Sequence, residues 1–306
     1  VKTKNSDWLS FRFGAMILLT LAPGLIVGCE EGKPKNPPPV VQATPEPTPS
    51  KPPVRYSSRP IEDAKSLSGL RAELGEEAMA VVLKLNRIDA QHIRSGEELI
   101  IPETLDIMAV SPFPAEIKSA ETISKLLLVA RRVQAFGAYE FGKLVRWGPT
   151  STGKKATPTR AGLYHANWKA KKTISTIDAD WVLPWYVNID NFDGISLHQY
   201  DLPGYPASHS CVRLLEEDAA WIYQWVEEWI LTKDGRDRLA YGTPVIIFGD
   251  YAYDQPPPWK LLPGDPQAAS LSVEEVEEVV LRYLPLLQER AKERAALLGA
   301  AVPESP

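Results

Sequence analysis

The chain has 306 residues, 44% of them hydrophobic and 24% charged, with a formal net charge of −5. That length accommodates two modest folded units plus connecting segments. The acidic balance, with no long basic run, excludes a nucleic-acid partner held by clustered Lys and Arg. Twenty-eight prolines are too many for one compact domain, so their placement matters more than their number.

Lys2, Lys4 and Arg12 precede an apolar stretch from Phe13 to Val27 that is broken only by Gly, Thr and Pro. This is the basic n-region and short h-region of a secretory signal, too short for a transmembrane helix of roughly 20 apolar residues. It closes on Leu25-Ile26-Val27-Gly28-Cys29, which resembles a bacterial lipobox. Residues 1–29 are therefore expected to be a lipoprotein signal peptide, with Cys29 the acylated residue that anchors the protein to a membrane; the competing reading is an uncleaved signal anchor. Residues 30–60 form an expected tether. Ten prolines lie between 33 and 60 with almost no large apolar side chains, a composition that favours extended polyproline II over a packed core.

Leu67, Leu70 and Leu74, then Val81, Val82 and Leu85, have helical spacing. Leu85-Asn86-Arg87-Ile88 followed by Ile93 through Leu99-Ile100-Ile101-Pro102 resembles the second half of a LysM domain. The opening strand of that family is not recognisable, so residues 61–104 are expected to be a degenerate LysM-like α/β module with no assigned sugar contacts.

Between 122 and 250 the texture becomes strand-like. Leu126–Val129, Val133–Phe136 and Val245–Phe248 are apolar runs separated by Gly- and Pro-bearing turns. One helix is expected from Glu216 to Leu231, where Trp221, Ile222, Trp225, Val226 and Trp229 form a stripe that suits core packing. The segment 251–306 passes through Pro256-Pro257-Pro258 to an amphipathic helix over 272–298, with Ser272 and Glu275 as a capping box and Leu281, Leu284 and Leu287 on its apolar face.

The chemistry concentrates between Gly194 and Leu214. Two histidines, a cysteine and an arginine (His198, His209, Cys211, Arg213) fall within sixteen residues. Ile195 and Leu197 alternate with smaller residues, which places His198 near the end of a strand. A free thiol has a pKa of about 8.5; a neighbouring imidazole and positive charge favour the thiolate and make it a nucleophile for acyl transfer. Backbone N–H groups around Ser210 and Cys211 are candidates to receive an oxyanion. Zinc binding is the rival, but His198, His209 and Cys211 supply three ligands where such a site usually needs four. A buried structural cysteine is the third reading. A disulfide with Cys29 fits the cysteine count, though the two surroundings differ.

The same segment resembles the signature of L,D-transpeptidases with a YkuD-type catalytic domain: a His ending a strand, a loop, then Ser/Thr-His-Gly-Cys, an apolar residue and often Arg. Trp147-Gly148-Pro149-Thr150-Ser151-Thr152-Gly153, Thr157-Pro158-Thr159 and Gly242-Thr243-Pro244-Val245 occur in the matching order, so the resemblance covers most of residues 122–250. It implies a mainly β, sandwich-like catalytic fold with a supporting helix. It further implies Cys211 as nucleophile, His198 as general base and acid, and the main-chain carbonyl of Gln199 as the group orienting that histidine. Ser208, His209 and Ser210 would shape the pocket and oxyanion site, and Arg213 would hold a substrate carboxylate. The family's Gly before the Cys is Ser210 here, and the thirteen positions from His198 to Cys211 are fewer than in many members.

The reaction so implied attacks a peptidoglycan tetrapeptide stem, releases D-Ala and leaves a cysteinyl thioester. Another stem's amine, water, or an envelope protein's lysine then resolves it. No metal or organic cofactor is implied. The expected address is the cell envelope, on the periplasmic side of the inner or outer membrane. A non-catalytic peptidoglycan-binding lipoprotein is the alternative from another class, and an L,D-carboxypeptidase is the alternative using the same cysteine.

Overall fold

The structure is a computed structural model and describes residues 54–175 and 178–299. The expected signal peptide, Cys29 and the expected tether up to residue 53 lie outside the described residues. No described helix is long and apolar enough to cross a membrane.

Strand β1 (Tyr56–Ile61) leads into helix α1 (Ala64–Asn86), which returns through β2 (Glu97–Pro102). β1 and β2 pair antiparallel, with Tyr56 opposite Pro102 and Ile61 opposite Glu97. The sequence Tyr-Ser-Ser-Arg-Pro-Ile hides this strand. Four of its six side chains are exposed, and a Pro is tolerated because a two-stranded ribbon has free edges. The tether boundary expected at residue 60 is therefore corrected: β1 begins at Tyr56, five residues before the expected start of the folded module at 61. Helix α1 opens on Asp63, whose carboxylate accepts from Ser66 N (2.7 Å) while Ser66 Oγ accepts from Asp63 N. Gly75, at φ 77° and ψ 167°, breaks it into two helices. The Leu85-Asn86 pair has a physical role at its end. Asn86 donates to Val82 O and Ile100 O and accepts from Ile100 N, stitching helix to strand from inside.

The remaining strands are β3 (Leu126–Ala130), β4 (Ala135–Glu140), β5 (Lys143–Ser151), β6 (Gly162–His165), β7 (Trp168–Ile174), β8 (Val182–Asn188), β9 (Ser196–Gln199), β10 (Val212–Leu214), β11 (Ile230–Leu231), β12 (Arg238–Ala240) and β13 (Pro244–Phe248), with helix α2 (Glu216–Trp225) after β10 and α3 (Val273–Leu298) last. Nine of these strands form one sheet in the order β6-β13-β3-β4-β5-β10-β9-β8-β7. Its interior strand β3 is buried on both faces, as the unbroken run Leu126–Ala130 dictates. Leu126, Leu128 and Ile246 face a core completed by Val276, Val280 and Leu287 of α3. Leu127, Val129, Val245 and Ile247 face the other, where Val187, Leu197, Val212 and Leu214 from β8–β10 meet Ala219, Ile222 and Val226. For both ends of one sheet to share that second core, the sheet must curl over it. The sandwich-like layering is thus one curled sheet around a helix.

Two expectations are corrected in this part. Helix α2 stops at Trp225 because Val226 is already extended (ψ 150°), so Trp229 leaves the stripe, while Trp221 and Trp225 stack at 5.2 Å. In α3 the Ser272 cap is as expected, accepting from Glu275 N at 3.1 Å. Leu281, however, is 54% exposed, because Val276, Val280 and Leu287 set the buried face.

Candidate active site

β9 and β10 lie parallel, with Val212 opposite Leu197, Arg213 opposite His198 and Leu214 opposite Gln199. Alternation along a strand then sorts the residues. Leu197, Val212 and Leu214 enter the core, which leaves Ser196, His198 and Arg213 on the opposite face. Cys211, one residue before β10, has its Sγ 3.2 Å from Ser196 Oγ and 3.6 Å from the Gly194 carbonyl. It is a free, partly buried thiol. His198, Cys211 and Arg213 line one pocket of about 330 Å³, open mouth included, together with Trp181, Leu183, Tyr200, Ser208 and His209.

The two histidines differ in what their hydrogen bonds permit. His198 Nδ1 lies 3.0 Å from the Gln199 carbonyl. A carbonyl only accepts, so the ring proton sits on Nδ1 and Nε2 keeps its lone pair. Burial pushes the His198 pKa down to about 4, the Gln199 bond opposing it and Arg213 adding to it. His198 is therefore a neutral imidazole at neutral pH with a basic nitrogen to spare. His209 is the reverse case. Its Nε2 lies 2.9 Å from Lys154 Nζ, which only donates, and its Nδ1 is buried without a partner. Burial, Lys154 and Arg213 all lower its pKa, and its base nitrogen is already occupied.

Ser208 is a scaffold for the turn that carries the thiol. Its hydroxyl donates to the Cys211 carbonyl (2.5 Å) and accepts from Ser210 N (3.2 Å). An oxyanion at the Ser210 N–H would thus compete with Ser208 Oγ. Ser210 itself has φ 103°, a region where a side chain costs about 1–3 kcal/mol, which is why glycine is the easier residue there. Beneath this turn the Ser151–Thr159 segment forms a cradle. Thr152 O accepts from Ser208 N, Lys154 N donates to Ser208 O, and Thr159 Oγ1 donates to Ser210 O at 2.7 Å. Gly153 must be glycine because a Cβ there would collide with the backbone of residues 157–159. Arg213 stacks over the Tyr200 ring at 4.5 Å, and its Nη1 reaches the Asp201 carbonyl only at 3.4 Å.

The short loop between His198 and Cys211 is held from outside the catalytic sheet. Ile88 bridges to Pro203, Asp89 N donates to Leu202 O (2.9 Å), Leu202 N donates to Asp89 Oδ2 (2.8 Å) and Gly204 N donates to Arg87 O (3.1 Å). Neither Asp89 nor Ser196 was singled out in the sequence. Asp89 makes a long-range contact with no local signature, whereas Ser196 carried one signal, its position two residues before His198 on the same strand face. Among the described residues Asp89, His92 and Asp201 bring three potential metal-ligating atoms within 4.8 Å. Both Asp89 oxygens, however, already accept hydrogen bonds from His92 or Leu202.

Two buried histidines make stability pH-dependent. His165, between Arg290 and Tyr241, is pushed down to about 3 by burial, Arg290 and Arg238. With both folded-state values below 6.5, the unfolded chain binds more protons between pH 6.5 and 4. The stabilisation is complete above pH 6.5 and lost as pH falls. By pH 4 each histidine withdraws about 3 kcal/mol. Urea midpoints are expected to drop steeply over that window, and His165→Gln to make the slope shallower.

Residues 125–247 match the family model of the YkuD L,D-transpeptidase catalytic domain, and the curled sheet with its helix is that domain's fold. Solved structures similar to this chain include an L,D-transpeptidase (Yku) from Stackebrandtia nassauensis, with 25% identity, 42% of this chain and 57% of that chain covered, and a TM-score of 0.34. An L,D-transpeptidase from Mycobacterium smegmatis gives 20%, 42%, 59% and 0.33. L,D-transpeptidase 1 from Mycobacterium tuberculosis gives 21%, 42%, 63% and 0.32. The chain spans about three fifths of the length of these structures. No curated protein matches it.

Proposed function

We propose that this YkuD-type domain carries a cysteine acyltransferase that acts on peptidoglycan stem tetrapeptides, with Cys211 as nucleophile and His198 as its base. The observation that carries the reading is the His198 Nδ1 bond to the Gln199 carbonyl, which leaves Nε2 basic in the pocket that also holds the only described free thiol. The thiol proton passes to Nε2 and Sγ attacks the carbonyl between the third stem residue and its terminal D-Ala. The imidazolium then protonates the departing amine. An acceptor amine enters the thioester, its proton goes to His198, and the C–S bond breaks. Arg213, which lies over the Tyr200 ring, would meet a carboxylate of the stem on this reading. Water as acceptor gives carboxypeptidase activity with the same residues. An envelope protein's lysine in that position gives protein anchoring.

The wider reading places the protein in the cell envelope, exported and lipidated at Cys29, with the tether carrying the folded part away from the membrane. The β-α-α-β unit is read as LysM-like. Its seam with the catalytic sheet favours a role in shaping the site over that of a free sugar-binding module, because Arg87 and Asp89 hold the acyl-site loop.

Mass spectrometry of the protein incubated with a tetrapeptide muropeptide tests the reaction. The expected result is an acyl adduct on Cys211, with loss of D-Ala, and its abolition in Cys211→Ala. Imipenem, found in complex with one solved L,D-transpeptidase, provides a second acylating probe. Intact protein that forms neither adduct, while Cys211→Ala binds sacculi equally well, supports the non-catalytic alternative.

A further inference from the structure

We propose that Ser196 is a catalytic residue that donates its hydroxyl hydrogen to the Cys211 sulfur, stabilising the thiolate when it forms and again when it leaves the thioester. This rests on the reading of Cys211 as the nucleophile. The geometry assigns the direction of the bond. Among the described residues Cys211 Sγ has two hydrogen-bonding neighbours, Ser196 Oγ at 3.2 Å and the Gly194 carbonyl at 3.6 Å. The carbonyl can only accept, so the resting S–H points to Gly194. The sulfur lone pairs are then left for Ser196 Oγ–H, whose hydroxyl has no other hydrogen-bond partner among the described residues. Ser196 is fully buried in β9, which shields its hydroxyl from water on the protein side of this part-buried contact, and charge on the sulfur strengthens the bond.

Ionisation changes the two contacts in opposite senses. Once the proton has left for His198 Nε2, the Gly194 oxygen faces a negative sulfur and becomes repulsive. The Ser196 contact becomes a charge-assisted bond. Without the serine, only the more distant charge of Arg213 would offset the carbonyl dipole that faces the new thiolate. Ser196 transfers no proton in either half-reaction: the proton moves between Sγ, His198 and the two amines, and the C–N and then the C–S bond breaks. The hydroxyl stabilises the sulfur whenever it carries charge, which lowers the barrier both to attack and to departure.

The test is the pH profile of Cys211 alkylation by iodoacetamide in the full chain, followed on the Cys211 peptide so that Cys29 does not contribute. In Ser196→Ala the alkylation midpoint is expected to rise by about one pH unit, with about tenfold slower alkylation at neutral pH. Ser196→Thr, which keeps the hydroxyl, is expected to restore most of that rate, and urea midpoints establish that each variant is folded. In muropeptide turnover the alanine variant should lose kcat and leave KM nearly unchanged. A midpoint that stays put or falls in folded Ser196→Ala overturns the proposal, a fall meaning that the thiol donates to the serine instead. A shifted profile in a protein that never acylates with muropeptide leaves Ser196 intact as a thiolate stabiliser and removes the transpeptidase reading alone.

Discussion

His198→Ala is expected to slow the proposed acylation of Cys211 by muropeptide about 10²–10⁴-fold, the usual contribution of a positioned general base. His209→Ala, by contrast, should cost less than about tenfold. The two residues stand at the same pocket, yet their partners separate them. The Gln199 carbonyl fixes the His198 proton on Nδ1, while Lys154 occupies Nε2 of His209. Stopped-flow or time-resolved mass spectra of the adduct measure the difference. Equal losses in the two variants would remove His198 from its assigned role. Acylation at fixed thiolate fraction should also stay constant from pH 8 down to about 5, since burial holds the His198 pKa near 4 and the imidazole remains neutral throughout.

Arg87→Ala is expected to destabilise the folded chain by about 3–5 kcal/mol, the cost of breaking a buried charged group out of its bonds. Only 1% of Arg87 is exposed. Its guanidinium donates to the carbonyls of Val133 (3.0 Å), Lys84 (3.2 Å) and Leu85 (2.5 Å). It lies over the rings of Trp147 (5.5 Å) and Trp259 (5.1 Å), and burial pushes its pKa down to about 9. Removing it takes a donor from three carbonyls, of which, among the described residues, only that of Lys84 keeps another donor, the backbone N–H of residue 87, and empties the space between two indoles. Lysine should not rescue, because a single ammonium cannot reach three acceptors or stack as a planar fork does. Urea unfolding checks the effect, and a loss below about 1 kcal/mol would contradict it.

The position of Arg87 also explains why the β-α-α-β unit is not a separate bead. Val81, Leu85 and Ile100 share a core with Leu126, Leu128 and Ile246. Lys84 reaches Glu217 (2.5 Å) and the buried Asp218 (3.5 Å), and Lys260 reaches Glu97 (2.7 Å). The Arg87 carbonyl then holds Gly204 in the loop that joins His198 to Cys211. Loss of the seam is thus expected to reach the site as well as the core.

Local patterns were enough to locate β3 and β13 from their apolar runs, α3 from the Ser272 cap and its spacing, and the segment that matches the YkuD family model from the order of Gly, Thr-Pro-Thr, His and Cys. Each of these depends on the backbone's own period or on turn chemistry, which neighbours in the chain specify. β1 escaped because its side chains are polar and its only partner is β2, some forty residues away. The end of α2 escaped because Val226 and Trp229 keep the apolar period after the backbone has turned extended.

For Cys211, the sequence by itself determined the company it keeps: two histidines, an arginine and a serine-rich turn within sixteen residues. Tertiary structure alone decided which histidine has a free nitrogen, that Ser196 lies against the sulfur, and that Arg87 and Asp89 reach across to hold the loop. Those outcomes depend on strand register, on which carbonyl a ring nitrogen meets, and on burial between distant segments, and no local period encodes any of the three.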